Sequence, residues 1–361
     1  MSFEYKNFKT KPNFRFQEYV TEKSDCLCST YQFDCYENKK GEIILISPFF
    51  DIDNILDNIH YISLINLKDN KEIKKLEGHK DRIVNLRYFQ NPYTKNDYLI
   101  SADRKFIVIV WDLTDYNKKV NIEIKYEGFI YSCLLFFDQN QMWAVTSSLG
   151  VNNYTKVIDC EDKTNIIDIE DSKDKNIYFL AYWRNNEAND ENSIHNIIQC
   201  SKKKLFISQF PGNTTYFTLE TTDKYLYLLG GIVFQNKGKD VFAFSSSFGL
   251  IQVLELVTKT IVKSIEFDKV QLYSFVKWND NYLLINDCFQ KRIIVMDIKD
   301  DFKIYSKVLC PQMHFDRFIK KVYHPLYGES ILSIGTDWKI KLFVNRSVNP
   351  NIRLKINWKM I

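Results

Sequence analysis

The stretch from Leu76 to Leu113, LEGHKDRIVNLRYFQNPYTKNDYLISADRKFIVIVWDL, decides the fold. It opens on Gly78-His79 and closes on Trp111-Asp112. Between them lie three apolar runs, Ile83 to Phe89, Tyr98 to Ser101 and Phe106 to Leu113. β-branched and aromatic side chains fill these runs, and their bulk suits a pleated, half-buried surface. The links Gln90 to Asp97 and Ala102 to Lys105 are made of turn formers,. Three short strands joined by turns cannot bury their faces alone, so neighbouring copies are required.

A second copy runs from His314 to Asn345, HFDRFIKKVYHPLYGESILSIGTDWKIKLFVN. His314, Asp316 and Arg317 fall where His79, Asp81 and Arg82 fall, Ser333 ends a strand as Ser101 does, and Phe343 stands in place of Trp111. Weaker copies occupy Phe242 to Leu256 and Tyr282 to Ile298, and Ile62 to Lys68, Thr155 to Cys160 and Lys204 to Gln209 close three more. Aligning Ile65, Trp111, Ile158, Ile207, Leu254, Met296 and Phe343 gives seven units separated by 42 to 49 residues. A four-stranded blade needs roughly 40–45 residues plus loop variation. The spacing therefore predicts an all-β fold, a seven-bladed β-propeller of four-stranded antiparallel blades.

Composition agrees with a folded protein of this kind. Hydrophobic residues are 45% of the 361, enough for a sizeable core, and the formal net charge is only +4,. So small an excess gives no reason to expect a nucleic-acid or membrane partner. Met1 to Thr10 has no apolar run of a secretory signal, and no stretch of 18 apolar residues occurs,. The eight cysteines are scattered with no CxxC pair and mostly sit in strand-like runs, which predicts buried reduced thiols,. The expected location is the cytoplasm, with the nucleus as the alternative.

Catalytic and cofactor signatures are few. There is no Gly-x-Ser-x-Gly elbow, no His-Glu-x-x-His and no Gly-rich phosphate loop among eleven glycines,. His60, His195 and His324 are isolated in sequence and read as loop or strand-end residues. The chain is therefore read as not an enzyme, with no cofactor, no metal and no small-molecule substrate. Lys202 to Lys204 reads as a solvated turn, and Trp183 to His195 as a polar loop,.

In its two clear units the chain resembles the WD40-repeat family. That resemblance implies a hydrogen-bonded tetrad of His, Ser or Thr, Asp and Trp in a blade. The tetrad candidates are His79, Ser101 and Trp111 in one unit and His314, Ser333, Asp337 and Phe343 in the other. Spacing puts Lys105 at the acidic position of the first unit, and Asp103, two residues earlier, serves only if the turn is lengthened. Phe343 has no N–H to donate, so both tetrads are expected to be incomplete.

The resemblance also implies that one terminus supplies the outer strand of the last blade. Phe14 to Val20 is favoured for that role over Ile352 to Trp358. The predicted organisation is a closing segment over 1–20, the propeller over 21–345 and a tail over 346–361.

In the family, partners sit on the face bearing the inter-blade loops. Here that face is expected to carry Asp81, Arg82, Phe248, Phe289, Asp316, Arg317 and Trp338. The insertion Pro48 to His60 should emerge there too, with Phe49 and Phe50 on the apolar stripe of a short helix, either capping the channel or docking a partner. The function expected is a scaffold or adaptor that binds other proteins. The alternative is a reader of peptides or modified tails, such as a ubiquitin-ligase substrate receptor or a chromatin-associated protein.

Overall fold

The computed structural model describes residues 16–20, 32–50, 60–116, 119–124, 128–138, 141–150, 154–173, 175–187, 194–202, 204–212, 214–220, 228–246, 249–267, 270–310, 318–334 and 340–345. Seven four-stranded antiparallel sheets follow one another along the chain. Blade 1 is built from Asp34–Glu37, Ile43–Phe50, His60–Asn66 and Lys71–His79, innermost strand first. Blade 2 follows with Ile83–Gln90, Asp97–Asp103, Ile107–Asp112 and Lys119–Glu123. Blades 3 to 6 span residues 130–169, 177–220, 228–266 and 272–309. The only helical element among the described residues is a single 3-10 turn, Glu170–Ser172.

Blade 7 takes Phe318–His324, Gly328–Ile334 and Ile340–Asn345 from the C-terminal part and Phe16–Val20 as its outer strand. That outer strand pairs antiparallel from Phe16 opposite Asn345 to Val20 opposite Lys341. The C-terminal alternative, Ile352 to Trp358, lies outside the described residues.

Burial follows from this arrangement. The outer strand of blade 5, Thr260–Glu266, alternates exposed and half-buried residues, whereas the third strand of blade 2 is buried from Ile107 to Trp111. An interior strand is covered on both faces by the adjoining blades, so its apolar run is continuous. Seven apolar clusters result among the described residues, one in each blade-to-blade interface. One of them joins Leu332, Leu342 and Val344 of blade 7 to Phe33, Ile43 and Leu45 of blade 1, so packing closes the ring as pairing does. Gly230 lies at a close approach between the innermost strands of blades 5 and 6: a Cβ there would lie 2.0 Å from the Tyr273 carbonyl oxygen. No larger residue fits without separating the two blades.

Strand register corrects one of the seven aligned positions. Ile65, Trp111, Ile158, Leu254, Met296 and Phe343 all pack toward the preceding blade, but Ile207 packs toward the following one. Ser101 pairs with Ile109, two residues before Trp111; Gln199 pairs with Phe206, two before Ser208. Ser208 is therefore the counterpart of Trp111, and Gln199 of Ser101. A hydrogen bond of 2.8 Å from Gln199 Nε2 to Ser208 Oγ replaces the indole bond there. One residue of slip exchanges the two faces of a strand, and both faces are apolar in blade 4.

Two further expectations change. Phe49 and Phe50 prolong the second strand of blade 1, opposite Tyr61 and His60, because cross-strand pairing takes their backbone into the sheet and not into a helix. The rest of the insertion, 51–59, lies outside the described residues. Trp183 and His195 are not loop residues: they lie in paired strands and are 3% and 4% exposed.

Candidate functional site

The face that carries the starts of the innermost strands and the turns between second and third strands is called the upper face. In blade 2 its scaffold is a buried hydrogen-bonded chain. His79 Nδ1 lies 3.1 Å from Asp103 Oδ2, His79 Nε2 lies 2.7 Å from Ser101 Oγ, and Trp111 Nε1 donates to Ser101 Oγ at 2.8 Å. All four side chains belong to fully or nearly fully buried residues. The carboxylate accepts from Nδ1, which leaves Nε2 to accept the serine hydroxyl.

Asp103 holds the acidic place, and not Lys105, because the second strand continues through Asp103 and the turn begins after it. Asp103 Oδ1 also accepts the N–H groups of Lys105 at 2.9 Å and Ile107 at 3.0 Å, and Oδ2 that of Lys80 at 3.2 Å. Burial pushes its carboxyl up, but the bonds from His79 and the Ile107 N–H outweigh burial and hold it below the ordinary carboxylate value,. The chain Asp103–His79–Ser101–Trp111 is complete, so the expectation that this tetrad is interrupted is corrected. In blade 7, Ser333 and Phe343 are buried on neighbouring strands, while His314 and Asp337 lie outside the described residues.

Above the tetrad the turns of blades 2 to 4 form a basic and aromatic rim. Asp81 Oδ1 accepts the Arg82 N–H at 2.6 Å, and the Arg82 carbonyl accepts the Arg104 N–H at 3.1 Å. The Arg104 guanidinium lies 5.8 Å from the centre of the Phe129 ring, inside cation–π range,. Phe129 is 57% exposed and Tyr131 43%, with Ile130 buried between them by strand alternation. Tyr131 meets Tyr178 of blade 4 edge to face at 5.4 Å, and its carbonyl accepts from Asn85 Nδ2 of blade 2 at 3.0 Å. Phe129, Tyr131, Tyr178 and Arg104 were not among the residues singled out by sequence. Their signal is the i, i+2 aromatic pair flanking Ile130 at the start of an innermost strand,.

Of the other predicted contact residues, Phe289 lies in the corresponding turn of blade 6 and is exposed. Phe248, Asp316, Arg317 and Trp338 lie outside the described residues. Of the three aromatic residues expected on this face, Phe248, Phe289 and Trp338, Phe289 alone has a described place.

On the lower face, His195 Nδ1 bonds Tyr182 Oη at 2.7 Å and Nε2 lies 3.3 Å from Asp138 Oδ1. Burial lowers the His195 pKa and pushes the Tyr182 phenol up, so both are held neutral. A phenol shifted that way is a poor base or nucleophile, and the set acts as a strut between blades 3 and 4. Among the described residues no group of three or more His, Cys, Asp or Glu is arranged to hold a metal ion, and no helix is long and apolar enough to cross a membrane.

Histidine burial gives the ring a predictable acid response. His324, the last residue of an innermost strand, stacks on Tyr327 at 4.4 Å, its Nδ1 accepts the Leu326 N–H at 3.1 Å, and burial lowers its pKa to about 4. His60 and His195 are lowered by burial as well. Between an unfolded value of 6.5 and about 4, the unfolded chain takes up a proton that the folded one refuses. Stability therefore falls as pH drops through that window. The thermal midpoint should decline from pH 6.5 to 4, and more shallowly in His324→Gln; identical profiles would contradict this.

Against solved structures, the chain is similar to the β-propeller domain of Cps50 (Swd1) from Myceliophteria thermophila. The match covers 91% of this chain and 99% of that domain, with a TM-score of 0.63 and 13% identity. The fold is a seven-bladed β-propeller. At that identity the likeness concerns the fold alone. No protein-family model matches the chain, and no curated protein does.

Proposed function

We propose that this propeller is a non-catalytic interaction platform, and that a protein partner docks on the upper rim of blades 2 to 4. The observation that carries the reading is Phe129, more than half exposed, set beneath Arg104 and beside Tyr131. Exposed aromatic residues with a neighbouring arginine are what binding hot spots are made of, since they bury large area with little loss of side-chain freedom. The tetrad beneath supplies rigidity: it fixes the Arg104–Lys105 turn through Asp103, so the rim is ordered before binding,. The small net charge of +4 favours a protein partner over nucleic acid,.

Affinity purification of the tagged full chain from its native cells, with Phe129→Ala/Tyr131→Ala alongside, tests the reading. A defined set of proteins should co-purify, and the variant should lose at least one of them by about tenfold or more while unfolding at the same temperature as the parent. If both forms bring down the same proteins in the same amounts, this rim is not the docking surface.

A further inference from the structure

Register places three charged residues in one layer of the central channel. Asp34 pairs with Ile46, Arg87 with Ile100 and Lys320 with Leu332, the same level on the innermost strands of blades 1, 2 and 7. At that level the other four blades carry Leu134, Ala181, Ile232 and Val276, all apolar. The layer therefore holds two cations and one carboxylate, carried by the strands of three adjoining blades.

The carboxylate is already committed. Asp34 Oδ1 binds Lys320 Nζ at 2.6 Å and accepts its neighbour's N–H, from Cys35, at 2.7 Å; Oδ2 accepts the Tyr88 N–H at 2.9 Å. Arg87 has no direct ion pair among the described residues, and Asp34 attracts it only without a hydrogen bond. Its guanidinium donates from Nη1 to the Leu180 carbonyl at 2.9 Å and lies 5.2 Å from the Phe179 ring, so most of its five N–H donors remain unused,. Cys35 and Cys133, which lie near these groups, do not supply the missing charge, because burial pushes both thiols up to about 12.

Solvent reaches this layer: the Lys320 side chain is 36% exposed although it sits mid-strand on the ring's inner wall. Burial works to lower the pKa of Lys320, and Asp34 overrides it; Arg87 acts on the same ammonium in repulsion. Among the described residues the layer thus carries one positive charge in excess, at a level where the other four blades present apolar residues, and such low-dielectric surroundings focus a field,.

We propose that the channel is an oxyanion site, in which one phosphate or carboxylate group sits between the Arg87 guanidinium and the Lys320 ammonium. The guanidinium, 5.2 Å from the centre of the Phe179 ring, offers a planar fork that meets two oxygens at once,. The group arrives either as a free ion or on an acidic side chain of a protein docked above the channel. The site stands independently of the rim reading: Phe129→Ala/Tyr131→Ala should bind phosphate as the parent does.

Calorimetric titration of the full chain with inorganic phosphate in a chloride buffer tests it, with Arg87→Gln and Asp34→Asn as variants. The parent should bind one phosphate per chain. Arg87→Gln should bind about tenfold more weakly or worse, the loss of one charge-assisted hydrogen-bonded pair. Asp34→Asn removes the competing carboxylate and should bind about tenfold more tightly. That opposite sign is not expected of a residue with a purely structural role, and it keeps the test decisive if Arg87→Gln does not fold. A titration with a hexaglutamate peptide separates the sources: peptide binding displaced by phosphate assigns the site to an acidic protein segment, and phosphate binding without it to a free ion. No phosphate binding by the parent, or no tightening in Asp34→Asn, overturns the proposal.

Discussion

Replacing Asp103 by alanine is expected to lower the unfolding free energy by about 3 kcal/mol or more, a loss in the range of a broken buried polar network. Four donors lose their acceptor at once: His79 Nδ1 and the N–H groups of Lys80, Lys105 and Ile107. His79 Nδ1 and the Ile107 N–H cannot turn to water, because the His79 side chain is wholly buried and Ile107 is buried as well. Each buried group left unsatisfied costs about 1–3 kcal/mol, so even partial relaxation leaves a large deficit.

Lys105→Ala is the informative control. Its ammonium reaches Asp81 only at 4.0 Å, and its side chain is 63% exposed. Such a substitution should stay within about 0.5 kcal/mol of the parent. Urea unfolding of the three chains measures both effects, and equal midpoints for Asp103→Ala and the parent would show that the tetrad contributes little.

The second large effect concerns ring closure. A chain beginning at residue 21 lacks Phe16–Val20, so Ile340–Asn345 becomes an unpaired edge with its N–H and C=O groups open to other chains,. Blade 7 would keep three strands, and its contact with blade 1 through Leu342 and Val344 would lose the outer support. The thermal midpoint should fall on the order of 10 °C, the equivalent of several kcal/mol in a chain of this size, with aggregation on standing. Glu18→Pro tests the same pairing without truncation, since it sits opposite Phe343 and cannot donate to the ladder,. Unchanged unfolding in both forms would mean that the N-terminal strand does not hold the ring.

Much of this architecture is legible along the chain. Alternation and turn chemistry are local properties, fixed by a two-residue side-chain period and by the residues that tolerate tight turns. They locate the first three strands of blade 2 to within two residues and place six of the seven third-strand positions at one register. Ile207 misled because Leu205, Phe206 and Ile207 are all buried, and a strand covered on both faces gives no alternation from which to read its phase. Asp103 was displaced for a related reason: counting residues back from Trp111 cannot show where the second strand ends. Phe129 and Tyr131 do announce themselves by alternation, but only the ring shows that their shared side meets solvent at the channel mouth.

The channel layer has no such trace. Asp34, Arg87 and Lys320 lie far apart in sequence, and none belongs to a motif. They share a level because seven sheets adopt one register and because blade 7 packs back against blade 1. The pattern within a strand is set by the nearest few residues; which strands meet, and which charges then face one another, is set by closure of the ring. Local backbone geometry thus wrote the blades into the chain, while long-range pairing and packing alone brought its charged residues together.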